Sequence, residues 1–308
     1  MSRYTRITPM SAQKIPVTVA IPILNEAQNL ESCLPLLRRF ERVVVIDSGS
    51  NDASLQICRD HGVEVINFRW NGEFPKKRNW FLRNHRIDTP WVLFLDADER
   101  ISDAFCDELS SKLSNSAHAG YWIQYVTWFL GCPLLHGDVN RKLALIRVGA
   151  GEFEHVPESH WTPFDMELHE HPVLAGSVGA IRTCVDHFDD RGFGLWLRKH
   201  NEYSTWEARR CSALATSSDG AFQQLNRRQI RKYRSLGKFW LPWVYFIYAY
   251  VYRGGFRDGY AGFAFAVAKA FYFWTISVKI RELKLQALVE PTQANKSAHF
   301  SERPGRIK

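Results

Sequence analysis

Several common signatures are missing from this 308-residue sequence, and each omission narrows what the chain can be. Neither GxGxxG nor GxxxxGK[ST] occurs, which removes the dinucleotide fingerprint and the Walker-type phosphate loop. The six cysteines, Cys33, Cys58, Cys106, Cys132, Cys184 and Cys211, are scattered without a CxxC pair. That excludes a thioredoxin-like redox motif and a cysteine zinc knuckle, and it fits a reducing compartment. The histidines from His155 to His187 lack zinc-type spacing with cysteine. The opening Met-Ser-Arg-Tyr-Thr-Arg has no apolar core of a secretory signal, so a cytosolic chain is expected. No internal repeat, RNP motif or zinc-finger pattern occurs, and no nucleic-acid partner is expected.

What is present suits an enzyme. With 45% hydrophobic and 23% charged residues the chain can bury a full core, and its net charge of +8 suits nucleic acid, phosphorylated ligands or an anionic membrane surface, among which charge alone does not choose. From Val17 to Asp98 apolar runs alternate with amphipathic segments. Val17–Leu24, Val43–Asp47, Val63–Arg69 and Trp91–Asp98 read as strands, and Glu26–Phe40, Asp52–His61 and Lys76–Asn84 as helices between them. Such a βαβ series implies an α/β domain with a parallel sheet and right-handed crossovers. Asn25-Glu26 and Ser50-Asn-Asp52 read as polar helix starts.

Two of the apolar runs end abruptly in carboxylates. Val43-Val-Val-Ile-Asp47 and Leu93-Phe-Leu-Asp-Ala-Asp98 deliver acids to the carboxyl ends of strands, where open α/β sheets bind ligands. In an extended segment the side chains of Asp96 and Asp98 share a face, so their oxygens can converge on a divalent cation.

The C-terminal third changes character. Arg227, Arg228, Arg231, Lys232, Arg234 and Lys238 precede an aromatic run, Phe239–Tyr252, and a second apolar run, Tyr260–Val278, follows an Arg-Gly-Gly-Phe-Arg-Asp-Gly turn ending at Gly259. The first run, at roughly fourteen residues, is short for a membrane span, and the second is interrupted by Lys269, so both fit interfacial helices better. The alternatives are a helical hairpin packed on protein and a transmembrane hairpin. Four regions are expected: a flexible N-terminus over 1–15, a catalytic domain over 16–226, a basic aromatic membrane-associating region over 227–289 and a disordered tail over 290–308.

Ala20-Ile-Pro-Ile-Leu-Asn-Glu26, Ile46-Asp-Ser-Gly-Ser-Asn-Asp52, Lys77-Arg-Asn79 and Leu95-Asp-Ala-Asp98 occur in the order and approximate spacing of family 2 inverting glycosyltransferases of the GT-A fold. The resemblance is strong over the first third of the chain. Within that family the sequence resembles bacterial lipopolysaccharide-core and exopolysaccharide glycosyltransferases. Ser48 departs from the family pattern, which carries a second acid there. The resemblance implies a GT-A-type, Rossmann-like, mostly parallel sheet flanked by helices. It implies transfer from a nucleotide-sugar, with UDP expected, to a lipid-linked glycan acceptor by metal-dependent single displacement. Pro22, Asn25, Glu26 and Asp47 would bracket the nucleoside, with Arg78 and Asn79 completing that pocket. Asp98, helped by Asp96, would hold Mg2+ or Mn2+ against the diphosphate, and Lys76, Lys77 or Arg78 would stabilise its charge. His187 resembles a distal histidine added to the metal or diphosphate. Glu170, in Leu168-His-Glu-His-Pro172, is the candidate base, with Glu158, Asp165 and Glu167 as rivals. The expected site of action is the cytoplasmic face of the inner or plasma membrane, as a peripheral or monotopic protein. A noncatalytic sugar-nucleotide or polysaccharide-binding protein is the alternative from another class. Nucleotidyltransferases are the nearest enzymatic rival, but their Gly-rich basic N-terminal loop is missing.

Overall fold

The computed structural model describes residues 14–155, 171–188, 191–216, 225 and 227–301, with side chains to 288. It divides into two compact units: a sheet unit, and a helical unit formed by Leu134–Asp138 with the chain from Arg191 onward. The two units divide near 191, with α5 below among the C-terminal helices.

The sheet unit begins as the apolar runs predict. Strands β1 (Ile15–Ile23), β2 (Phe40–Asp47), β3 (Glu64–Asn67) and β4 (Trp91–Phe94) alternate with helices α1 (Ala27–Cys33), α2 (Ser54–Asp60) and α3 (Lys77–Asn84). β1 pairs in parallel with both β2 and β4, and β2 with β3. The chain then turns through β5 (Glu99–Arg100), α4 (Asp103–Leu113), β6 (Gly120–Phe129), β7 (Cys132–Leu134) and β8 (Asn140–Arg147). It continues through β9 (Gly151–Phe153), β10 (Pro172–Leu174), β11 (Val178–Ala180) and β12 (Val185–Phe188). The main sheet runs β3-β2-β1-β4-β8-β6-β12-β5, with β8 antiparallel to both neighbours. It is therefore a mixed sheet, parallel in its first half. β1 and β4 are adjacent although β2 follows β1 in the chain, which makes their carboxyl ends the switch point where such sheets open a crevice.

Both sheet faces are covered. Leu30, Leu37, Phe105 and Leu109 pack beneath one face, and Phe68, Phe81, Phe94 and Phe153 cluster on the other. Each such side chain contributes at most about 1.5–3 kcal/mol on burial, so neither face is dispensable. α4 starts where Ser102 Oγ accepts the Phe105 N–H at 3.1 Å, a cap worth about 1 kcal/mol.

The helical unit holds α5 (Phe193–Thr216), α6 (Arg227–Ser235), α7 (Leu241–Phe246), a π-helical continuation over Ile247–Tyr252, and α8 (Gly259–Ser301). Tyr233, Leu236, Tyr272, Ile276 and Ile280 form its core with Ala208. α8 is assigned from Gly259 through Ser301.

Candidate active site

The carboxyl ends of β1, β2 and β4 bring the sequence motifs together through loops. Ile23 pairs with Asp47 across β1 and β2. The Asp47 carboxylate, on a residue only 2% exposed, accepts the N–H groups of Gly49 at 3.0 Å and Ser50 at 3.1 Å. It therefore orders its own loop first, and the remaining lone pairs are what a ligand could use. The Asn25 N–H donates to Ser50 Oγ, the Asn51 N–H to Asn25 Oδ1, and the Glu26 N–H to Ser54 Oγ, all between 2.8 and 2.9 Å. These polar residues stitch the β1 and β2 loops together, and the expected capping falls to Asp52, whose carboxylate accepts the N–H groups of Ser54 at 2.9 Å and Ala27 at 3.2 Å, the first residues of α2 and α1. Pro22 lies on β1 behind that seam, and Glu26 also accepts from Asn29 at 2.7 Å.

The second acidic ending departs from its sequence reading. β4 stops at Phe94, and Asp96-Ala-Asp98-Glu99 is a tight turn closed by the Glu99 N–H donating to Asp96 O at 3.0 Å. Asp96 and Asp98 thus do not project from one strand face, and their carboxylates have different surroundings. The turn is forced because β5 must follow at once to pair antiparallel with β12, where His187 sits opposite Glu99.

Asp96 is clamped by cations. Arg78 Nη2 lies 3.4 Å from Asp96 Oδ1, and Lys142 Nζ, from β8, donates to Asp96 Oδ2 and to Glu99 Oε1. Burial opposes its charge, yet Lys142 and Arg78 hold its carboxyl well below the usual range. Glu99 is fully buried, which pushes it up to about 7 against the pull of Lys142. The Lys142 ammonium also stands 4.8 Å over the Tyr125 ring, and the Arg78 guanidinium 5.2 Å over Phe153.

Asp98 faces the other way, toward β12. His187 Nε2 lies 3.4 Å from Asp98 Oδ1, and the Phe188 N–H donates to Asp98 O at 2.8 Å. Burial raises the Asp98 carboxyl but His187 more than offsets it, leaving it below its ordinary value; burial lowers the His187 imidazole and Asp98 lifts it above its own. Beyond that ion pair, and among the described residues, Asp98 Oδ1, His187 Nδ1, Ser48 Oγ and the Tyr125 hydroxyl are buried with no hydrogen-bond partner. Such orphaned polar atoms are costly unless a ligand completes them. Among the described residues no three acidic, histidine or cysteine side chains converge as a metal cage.

At the start of α3, Lys76 and Lys77 are buried at the positive end of the helix dipole, and no acid lies in the first turn. Asn79, 1% exposed, donates to Phe153 O at 2.9 Å and accepts the Phe153 N–H at 2.8 Å. It clamps α3 to β9. Glu170 and its rivals Glu158, Asp165 and Glu167 lie outside the described residues. Sequence reading missed Lys142, Glu99, Tyr125 and Ser48. Only the departure at Ser48 was visible, because Lys142 reaches the turn from a strand more than forty residues downstream.

A mixed sheet with its acidic turn at the switch point defines a GT-A-type, Rossmann-like domain. Residues 18–138 match the family described as Glycosyl transferase family 2, so this part of the chain is a family 2 glycosyltransferase domain. The chain is 26% identical over 276 residues to the lipopolysaccharide core biosynthesis glycosyltransferase LpsC of Rhizobium meliloti (strain 1021), covering 87% of this chain and 92% of the relative. It is 23% identical over 274 residues to the uncharacterized glycosyltransferase RP128 of Rickettsia prowazekii (strain Madrid E), covering 85% and 86%. Among solved structures, mannosyltransferase PcManGT from Pyrobaculum calidifontis, in complex with GDP-Man and Mn2+, aligns at 16% identity and a TM-score of 0.46 over 89% of this chain and 90% of that one.

Proposed function

We propose that this glycosyltransferase transfers a sugar, with inversion, from a nucleotide-sugar, UDP-linked by preference, to a lipid-linked glycan of the lipopolysaccharide or exopolysaccharide type, at the cytoplasmic face of a membrane. The observation that carries the reading is the buried Asp98–His187 ion pair, whose Asp98 Oδ1 and His187 Nδ1 lack hydrogen-bond partners among the described residues, in the same acidic turn as the cations on Asp96. The Asp98 carboxylate and the His187 imidazole offer an oxygen and a nitrogen donor, a set suited to Mg2+ or Mn2+ with further positions left for phosphate oxygens. A bound divalent cation would supply Lewis-acid stabilisation of the departing diphosphate. Asp96 then serves a different purpose from the expected one: it holds Arg78 and Lys142 in place, so that fixed positive charge stands where negative charge develops. Lys76 and Lys77 add to the same field. The seam of Asn25, Ser50 and Asp47 orders the nucleoside loop, where the buried Ser48 hydroxyl awaits a partner and Asp47 can accept a base N–H. Glu170 is the proposed acceptor base, since inversion needs a carboxylate on the acceptor face of the sugar. The acceptor class is supported by the similarity to the Rhizobium meliloti lipopolysaccharide core biosynthesis glycosyltransferase.

The test is release of nucleoside diphosphate from a panel of nucleotide-sugars in the presence of membrane lipid. Asp98→Asn and EDTA should each reduce turnover by orders of magnitude while circular dichroism stays unchanged. Full turnover under both conditions removes the cation and the Asp98–His187 pair from the mechanism.

A further inference from the structure

The helical unit leaves a large apolar surface uncovered. Along α7 and its π-helical continuation, Trp243, Ile247 and Val251 recur every fourth residue, flanked by Val244, Tyr248 and Tyr252, and all are exposed. α8 carries a second ribbon, Phe263, Val267, Phe271, Trp274 and Val278, at spacings of three and four that keep one face of a helix. The opposite face of α8 is the packed one: Tyr272, Ile276 and Ile280 are buried with Tyr233 and Leu236. Between the ribbons the turn presents Arg253, Phe256, Arg257 and Tyr260 to solvent, with Tyr260 at 76% exposure.

That turn is built rigidly. The His136 N–H donates to Asp258 Oδ2 at 2.9 Å while its ring nitrogen Nδ1 pairs with Oδ1 at 2.7 Å, and the Gly137 N–H donates to Arg253 O at 3.1 Å. A Cβ at Gly262 would stand 2.1 Å from Gly255 O, so the chain closes on itself with no room for a side chain. Aromatic rings and arginines held on such a turn match the headgroup layer, where rings seat their amphipathic edges and cations meet lipid phosphates. Exposed Arg227, Arg228, Arg231, Arg234 and Lys238 add positive charge ahead of α7. A second protein copy would gain little from this density of cation.

Composition alone allows α8 to cross a bilayer: Gly255–Leu288 has a mean hydropathy of 1.4 over its most apolar window. Its packing argues otherwise. The Lys279 ammonium is ringed by Asn201 O, Asn201 Oδ1, Ser204 Oγ and Thr205 Oγ1 of α5 at 2.7–2.9 Å, and α5 exposes Arg198. A spanning α8 would drag this polar helix and the exposed arginines of α6 into hydrocarbon, a costly placement. We propose that the helical unit lies in the plane of an anionic phospholipid bilayer, immersed to the headgroup–acyl boundary by the two aromatic ribbons and the Arg253–Tyr260 turn, without crossing it. This deepens the membrane location given under the proposed function and is independent of the transfer chemistry.

The experiment uses the full chain with vesicles of phosphatidylcholine alone or mixed with phosphatidylglycerol, read by co-sedimentation and by quenching of tryptophan with lipids brominated at shallow or deep acyl positions. The intact protein should bind the anionic vesicles at least tenfold more strongly, and shallow bromines should quench more than deep ones. Trp243→Ser with Trp274→Ser should weaken binding to both vesicle types at least tenfold, whereas Arg253→Glu with Arg257→Glu should remove the anionic preference. All four sites are exposed, so the variants should keep the wild-type melting transition. Stronger quenching by deep bromines overturns the in-plane arrangement in favour of a span. A protein that stays in the supernatant, or forms a dimer abolished by the tryptophan variants, overturns the lipid assignment. Vesicle binding without sugar transfer leaves this inference standing and removes the proposed function, and transfer to a soluble acceptor without vesicle binding does the reverse.

Discussion

Replacing Lys142 with methionine tests the electrostatic core of the active site. Its ammonium is the shared partner of Asp96 and Glu99, and Glu99 is fully buried. Methionine keeps the stem and deletes the charge, leaving two carboxylates facing each other across one turn, with Arg78 and the more distant pull of His187 left to Asp96. Breaking a buried pair from one side costs about 3–5 kcal/mol, because the desolvated partner stays behind. For a unit of this size, that lowers the melting temperature by on the order of 10 °C. The loss should also depend on pH with a definite sign. Glu99 is already raised to about 7 by burial, and Lys142 is what restrains it, so the substitution raises it further. A carboxyl whose folded value lies above its unfolded one contributes stability that is present below the unfolded value, near 4.5, and is lost as pH rises through the folded value. Lys142→Met should therefore sit closest to wild type near pH 5 and fall furthest behind by pH 8. Urea or thermal unfolding of both proteins at pH 5, 7 and 8 checks this. A deficit that is the same at all three pH values, or below about 0.5 kcal/mol at pH 8, refutes the assignment of Lys142 as the common counter-ion.

Glu170→Gln should keep nucleotide-sugar affinity and lose transfer, measured by calorimetry beside product release; near-normal transfer moves the base to Glu158, Asp165 or Glu167. Ser48→Ala should leave stability within about 0.5 kcal/mol, because the hydroxyl has no hydrogen-bond partner among the described residues, while raising the KM for the donor; an unchanged KM takes Ser48 out of the nucleoside pocket. Asn79→Leu strips both hydrogen bonds from the buried Phe153 backbone and should cost about 2–4 kcal/mol in denaturant unfolding, with donor affinity falling only as α3 loosens. His187 is held above its ordinary value by Asp98, so a proton competes with any cation there; Mn2+ affinity by paramagnetic resonance should rise between pH 6 and 8, and a flat profile argues against imidazole ligation.

The first third of the fold was legible because apolar periodicity and strand-end acids are local properties. β1, β2 and β3 fall within the predicted strands or a few residues of their ends, and α3 starts one residue after its predicted position. The predicted strand over Trp91–Asp98 was too long for a reason that no local pattern contains: β5 must reverse to meet β12, and the partner lies nearly ninety residues away. The aromatic run Phe239–Tyr252 was likewise readable as helix, but which of its rings stay outside depends on the partners that cover the rest.

The sequence by itself determined the residue types at the crevice, Asp47, Asp96, Asp98 and the lysines before Arg78, since an apolar strand ending in charge has only the open end of the sheet to go to. Only the tertiary structure decided their division of labour. Asp96 is engaged by Arg78 and Lys142 while Asp98 turns to His187, because burial makes each carboxylate take whichever cation the strand order brings within reach, and β8 and β12 arrive on different sides of the turn.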